Sequence, residues 1–71
     1  MNRVSVVRVN GSTKISYVVP GDEGRAYMHA VDLARDANYK GDLFLVEIKG
    51  AANQPMTKEE VEAAAYLFGK P

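Results

Sequence analysis

This 71-residue chain contains no cysteine, balances nine basic against nine acidic side chains, and is 46% apolar. Disulfides and cysteine-ligated zinc sites are therefore excluded, and no apolar run is long enough to span a membrane. A net charge of zero with a pI near 6.5 argues against a general polyanion binder. The length holds one domain, residues 1–71, and folding at this size buries only about 60% of the unfolded chain's surface. Stability must then come from apolar packing, supplemented if at all by self-association. The first residues lack the apolar run and small-residue cleavage site of a signal peptide, so the expectation is a soluble, cytoplasmic chain.

The first 19 residues are two valine-rich runs joined at Asn10-Gly11, which reads as a β-hairpin. Asn-Gly suits a two-residue type I′ turn, because both central residues must adopt positive φ. That turn pairs Val9 with Ser12, Arg8 with Thr13, Val6 with Ile15 and Val4 with Tyr17. One face then carries Val4, Val6, Ile15, Tyr17 and Val19. The other carries Val7, Val9 and Val18 beside Arg3, Ser5, Ser12, Lys14 and Ser16. Residues 1–21 hold Arg3, Arg8 and Lys14 and no acid, so the hairpin is the basic end of a neutral chain.

Pro20-Gly21 ends the second strand, and Asp22 is placed to cap a helix over about Glu23 to Asn38. At helical spacing Ala26, Tyr27, Ala30, Val31, Leu33, Ala34 and Ala37 share an arc of roughly 160°. Alanines on that side let the helix lie close to a sheet. Gly24 weakens its first turn by about 1 kcal/mol relative to alanine. Asn38 and Gly41 stand where a left-handed cap belongs. Arg25, Met28, His29, Asp32, Arg35 and Asp36 occupy the outward face.

Residues 42–49 form the third strand, with Phe44, Val46 and Ile48 on one side and Leu43, Leu45, Glu47 and Lys49 on the other. A linker from Gly50 to Met56 leads to Thr57, which opens a capping box with Glu60. The helix that follows carries the apolar stripe Val61, Ala64, Ala65 and Phe68, with Gly69 as its C′ residue and Pro71 closing the chain. The order β-β-α-β-α predicts an α+β fold in which two helices pack a three-stranded antiparallel sheet of order 2-1-3.

A chain this short covers one sheet face easily and the second only with difficulty. Val7, Val9, Val18 and the spare side of the third strand are either covered by the C-terminal helix or left open for another protein. The linker spans at most about 25 Å, enough to place that helix on the second face or beside the first helix. With the first strand central, the second strand is an outer edge with little charge beyond Lys14, so it can add a strand from a partner or a second copy.

Little in the sequence points to catalysis. His29 shares a helix face with Asp32 and Asp36, but no second histidine or positioned nucleophile accompanies it, and it reads as a solvated surface residue. Gly21 and Gly24 near a helix start lack the lysine of a phosphate loop and are flanked by Asp22 and Glu23. No cofactor or metal is expected. Nucleic-acid binding through Arg3, Arg8 and Lys14 is the alternative, with Tyr17 as stacking group. Against it, Tyr17 falls on the core face and no aromatic pair of the RNA-binding kind is present. Met28, His29, Asp32 and Arg35 are a candidate mixed contact patch on the outward face of the first helix.

The valine-rich hairpin, Pro20 before the helix, the alanine-rich helix from Ala26 to Ala37 and the strand Leu43 to Lys49 together resemble short phage-encoded early proteins. Those proteins bind and inhibit host bacterial RNA polymerase. The resemblance covers roughly residues 4–49 and is one of layout; the helix from Lys58 to Phe68 departs from that group. It implies a non-enzymatic regulator working in the host cytoplasm on a much larger protein. The expected partner-binding residues, from the residues alone, are Arg3, Val7, Val9, Lys14, Val18, Met28 and Arg35. A structural homodimer is the other reading of the same surface.

Overall fold

The hairpin forms as β1 (Asn2–Val7) and β2 (Thr13–Val19), and α1 (Glu23–Ala34), β3 (Leu43–Glu47) and α2 (Lys58–Phe68) follow. The structure is a computed structural model that describes residues 2–49, 51 and 53–68. Gly50, Gly69 and Pro71, read above as linker and helix-ending residues, lie outside the described residues. The sheet is antiparallel with order β2-β1-β3, so the expected α+β layout holds, with valine-rich β1 at the centre.

The hairpin register matches at Val6–Ile15 and Val4–Tyr17 and departs from expectation at the turn. The Gly11 amide donates to the Arg8 carbonyl and the Arg8 amide to the Ser12 carbonyl, both at 2.8 Å. Gly11 alone takes a positive φ there, +98°. The connection is therefore the three-residue Val9-Asn10-Gly11, a tight turn closed by a left-handed glycine, and not a type I′ turn. Asn10 is held at negative φ because its Oδ1 accepts from the Ser12 amide (3.0 Å) and the Ser12 hydroxyl (2.8 Å). The pairs Val9–Ser12 and Arg8–Thr13 do not form; Val7 lies opposite Thr13, and Lys14 is the extra residue of a bulge.

In α1, the Asp22 carboxylate accepts from the Arg25 amide at 3.0 Å, as the sequence predicts. Gly24, Ala26, Ala30, Val31 and Ala34 are buried. The helix stops at Ala34, four residues before the expected end. Asp36 turns extended (ψ 126°) and its carboxylate accepts from the Asn38 amide, which competes with continuing the helical ladder. Ala37 is thereby released to the surface in a short 3-10 turn, Ala37–Tyr39, and Gly41 rather than Asn38 takes the left-handed conformation (φ +86°).

The core comprises Val4, Val6, Val19, Phe44 and Val46 from the sheet, the small residues of α1, and Val61 and Ala65 from α2. Every one of those sheet residues except Val19 belongs to the side of Val4, Val6 and Phe44 in the paired registers, and Val19 follows by alternation. Both helices thus lie on one side of the sheet, with α2 beside α1. Tyr27 stacks on Phe68 (centroids 5.2 Å, planes 16° apart), and Arg35 reaches Glu62 across the helix pair at 3.5 Å. Fully burying side chains such as Val4, Val6, Val61 and Phe44 contributes about 1.5–3 kcal/mol each.

The capping box at the start of α2 is formed: the Thr57 amide donates to Glu60 Oε1 at 2.8 Å and the Glu60 amide to Thr57 Oγ1 at 3.2 Å. Just before it, Met56 and Phe44 exchange two backbone hydrogen bonds of 2.8 Å. That bridge caps the outer edge of β3 and fixes where α2 begins.

Candidate functional site

The uncovered side of the sheet is built in three rows across β2, β1 and β3: Thr13–Val7–Leu43, Ser16–Ser5–Leu45 and Val18–Arg3–Glu47. No residue of this side belongs to the core shared with the helices. Ser5 and Val7 are nevertheless buried, at 4% and 6% exposure, because side chains of the two outer strands flank them. Leu43 and Leu45 are half-buried, and Val18 is 49% exposed.

Chemistry divides this face. One end is apolar, with Val7, Leu43 and Leu45 side by side. The other is polar: Ser16 Oγ accepts from Arg3 Nη1 at 3.0 Å and from the Ser5 hydroxyl at 3.1 Å, and Glu47 stands opposite Arg3. Such an apolar surface rimmed by a few oriented polar groups is the composition of a protein-binding patch.

Of the expected contact residues, Arg3, Val7 and Val18 come together here. Val9 sits at the hairpin tip, 77% exposed. Lys14, expected on this face, is turned the other way by the bulge. Its Nζ pairs with Asp42 Oδ2 at 2.8 Å and lies 5.5 Å from the centre of the Tyr39 ring, in the segment following α1. Met28 lies on α1 and Arg35 is the residue that caps its C-terminal end, both in the helical layer behind the sheet. Leu43, Leu45, Thr13 and Ser16 complete the face. The two leucines carried a signal, since β3 is apolar on both sides, whereas Thr13 reaches the face only through the bulge.

His29 is not the solvated residue expected. It is half-buried with its ring edge-on to Tyr17 (centroids 5.2 Å, planes 69° apart), and its Nε2 is buried with no hydrogen-bond partner among the described residues. Among those residues, no three His, Asp or Glu side chains gather to hold a metal ion.

The basic residues of the hairpin do not form a cationic track. Lys14 is neutralised by Asp42, Arg8 Nη1 donates to Ser12 Oγ at 3.1 Å, and Arg3 faces Glu47. Tyr17 is held against α1 by His29. No described helix is long and apolar enough to cross a membrane.

Fold and surface together define a small α+β domain with one helix-covered and one open sheet face. Comparison with protein-family models, curated proteins and solved structures found no match.

Proposed function

We propose that this chain is a non-catalytic regulator that binds another protein through the open sheet face. The observation that carries this reading is the placement of both helices on the Val4–Phe44 side, which leaves Leu43 and Leu45, packed beside the buried Val7, with no covering element among the described residues. Contiguous apolar surface of this kind is uncommon on a monomer that has no partner for it. The absence of a cationic track favours a protein over a nucleic acid as partner. The layout resemblance supplies the partner to test first, bacterial RNA polymerase in the host cytoplasm.

The test is binding of purified bacterial RNA polymerase, read by surface plasmon resonance beside a transcription assay. Leu43→Lys and Leu45→Lys place charges on the open face, away from the helices. If this face is the contact surface, the double variant weakens binding by about thirtyfold or more, the scale of a central interface residue. Its thermal melting stays close to that of the parent. Binding unaffected by both substitutions overturns the assignment of the face, and no binding to the parent chain overturns the polymerase as partner.

A further inference from the structure

β2 is an outer strand of the sheet, and its far edge has a defined hydrogen-bonding pattern. Phe44 spends its backbone groups outward on Met56, so by antiparallel alternation Leu43, Leu45 and Glu47 bond inward to Val7, Ser5 and Arg3. Val4 and Val6 then bond to Tyr17 and Ile15, an alternation continued by the Arg8 amide donating to Ser12. The amides and carbonyls of Ser16 and Val18 are left facing outward, where no strand lies among the described residues.

This free edge has defined limits. At one end the bulge at Lys14 breaks the regular ladder, and at the other Pro20 has no amide hydrogen. The usable window is Ile15–Val19, whose centre is Tyr17. It contains neither a proline nor a charge, and Lys14, which would otherwise guard it, is tied back to Asp42.

We propose that β2 pairs antiparallel with β2 of a second copy of this chain, about a twofold axis at Tyr17. In that register Ser16 and Val18 of one copy exchange hydrogen bonds with Val18 and Ser16 of the other, and all four outward groups of each window are satisfied. A shift along the strand leaves some of them unpaired. Ile15 then lies beside the other copy's Val19, and the two Tyr17 side chains meet on the helix side.

The charge order along α1 gives the same axis. Helical spacing puts Arg25, His29 and Asp32 within an arc of about 60°, and the contact of His29 with Tyr17 shows that this flank looks toward β2. Arg25 and Asp32 are exposed and form no ion pair among the described residues. A twofold axis through Tyr17 and His29 runs the two α1 helices antiparallel and sets Arg25 of each copy against Asp32 of the other. An isologous contact needs such self-complementarity. The resulting sheet has the strand order 3-1-2-2-1-3, all helices on one side, and the two open faces joined. The inference does not rest on the proposed function, because it uses the edge of β2 and not the face of the sheet.

Sedimentation velocity across a concentration series tests it together with engineered cross-linking. The parent chain is expected to double in mass with concentration. Ser16→Pro removes an outward amide hydrogen and leaves the internal ladder intact, so it is expected to stay monomeric with an unchanged circular dichroism spectrum. The chain has no cysteine, so Tyr17→Cys puts one thiol per copy on the axis, where facing residues approach within disulfide range. It is expected to oxidise to a covalent dimer about tenfold faster than Val18→Cys, whose counterpart lies two residues out of register. A parent chain that remains monomeric at millimolar concentration overturns the proposal. So does equal cross-linking by the two cysteine variants, which also decides the matter if Ser16→Pro does not fold. Loss of polymerase binding in the Leu43 and Leu45 variants with dimerisation retained separates this contact from the open face.

Discussion

Tyr27 shows how a single side chain links the helix pair to solution conditions. Its ring lies on Phe68, and partial burial, aided by the nearby Glu23 carboxylate, raises its phenol above the usual value of 10.0. The folded state therefore holds this proton more tightly than the unfolded state does. The stability this contributes is fully present below pH 10 and is lost as pH rises through the folded-state value. Urea midpoints measured from about pH 9 to about pH 11 are expected to fall less steeply for Tyr27→Phe than for the parent. Equal slopes would remove Tyr27 as the source. Residues of this kind were only partly legible beforehand. The helical spacing of Tyr27 marks it as core, whereas strict strand alternation puts Lys14 on the side opposite to the one it occupies. The bulge that redirects it depends on a competition between Asn10–Ser12 hydrogen bonds and a tighter turn, and Asn-Gly is compatible with both.

Elements were legible to the extent that their signals are local. The Asp22 cap and the Thr57–Glu60 box act within four residues, and both are present in the structure. The end of α1 differs from the pattern because alanine at 37 continues the helical spacing while Asp36, a residue earlier, diverts the backbone. Where α2 docks was not legible at all. A stripe of Val61, Ala65 and Phe68 fits either side of a sheet, and the choice is made by distant partners: Tyr27, Arg35 and the Met56–Phe44 bridge. These elements also differ in what they contribute. Thr57→Ala is expected to cost about 1 kcal/mol in urea denaturation, the usual price of a cap. Phe44→Ala empties the centre of the core and is expected to cost about 3–5 kcal/mol, comparable to the whole stability of so small a domain. Equal losses in the two variants would contradict a core centred on Phe44.

At the scale of the molecule, the radius of gyration of 10.9 Å matches the value of about 11 Å expected for a compact chain of this length. The open sheet face is therefore not a symptom of loose packing; both helices lie on the other side, and among the described residues no third layer receives the apolar residues left over. The strand order also separates near from distant partners. β1 meets β2 across a three-residue turn, but meets β3 only after β2, α1 and the segment behind it have been traversed. Closing that long loop is the slower event. In stopped-flow folding, Val46→Ala on β3 is expected to lower the folding rate, whereas Thr57→Ala mainly raises the unfolding rate. Equal slowing of folding by both would place α2 in the transition state as well. The central position of β1 has a further consequence during synthesis. The strand with most valine leaves the ribosome well before β3, so one flank of it stays bare while the intervening residues are translated. A hairpin in that interval is an open template for other nascent chains, and the arrival of Leu43–Glu47 ends the exposure.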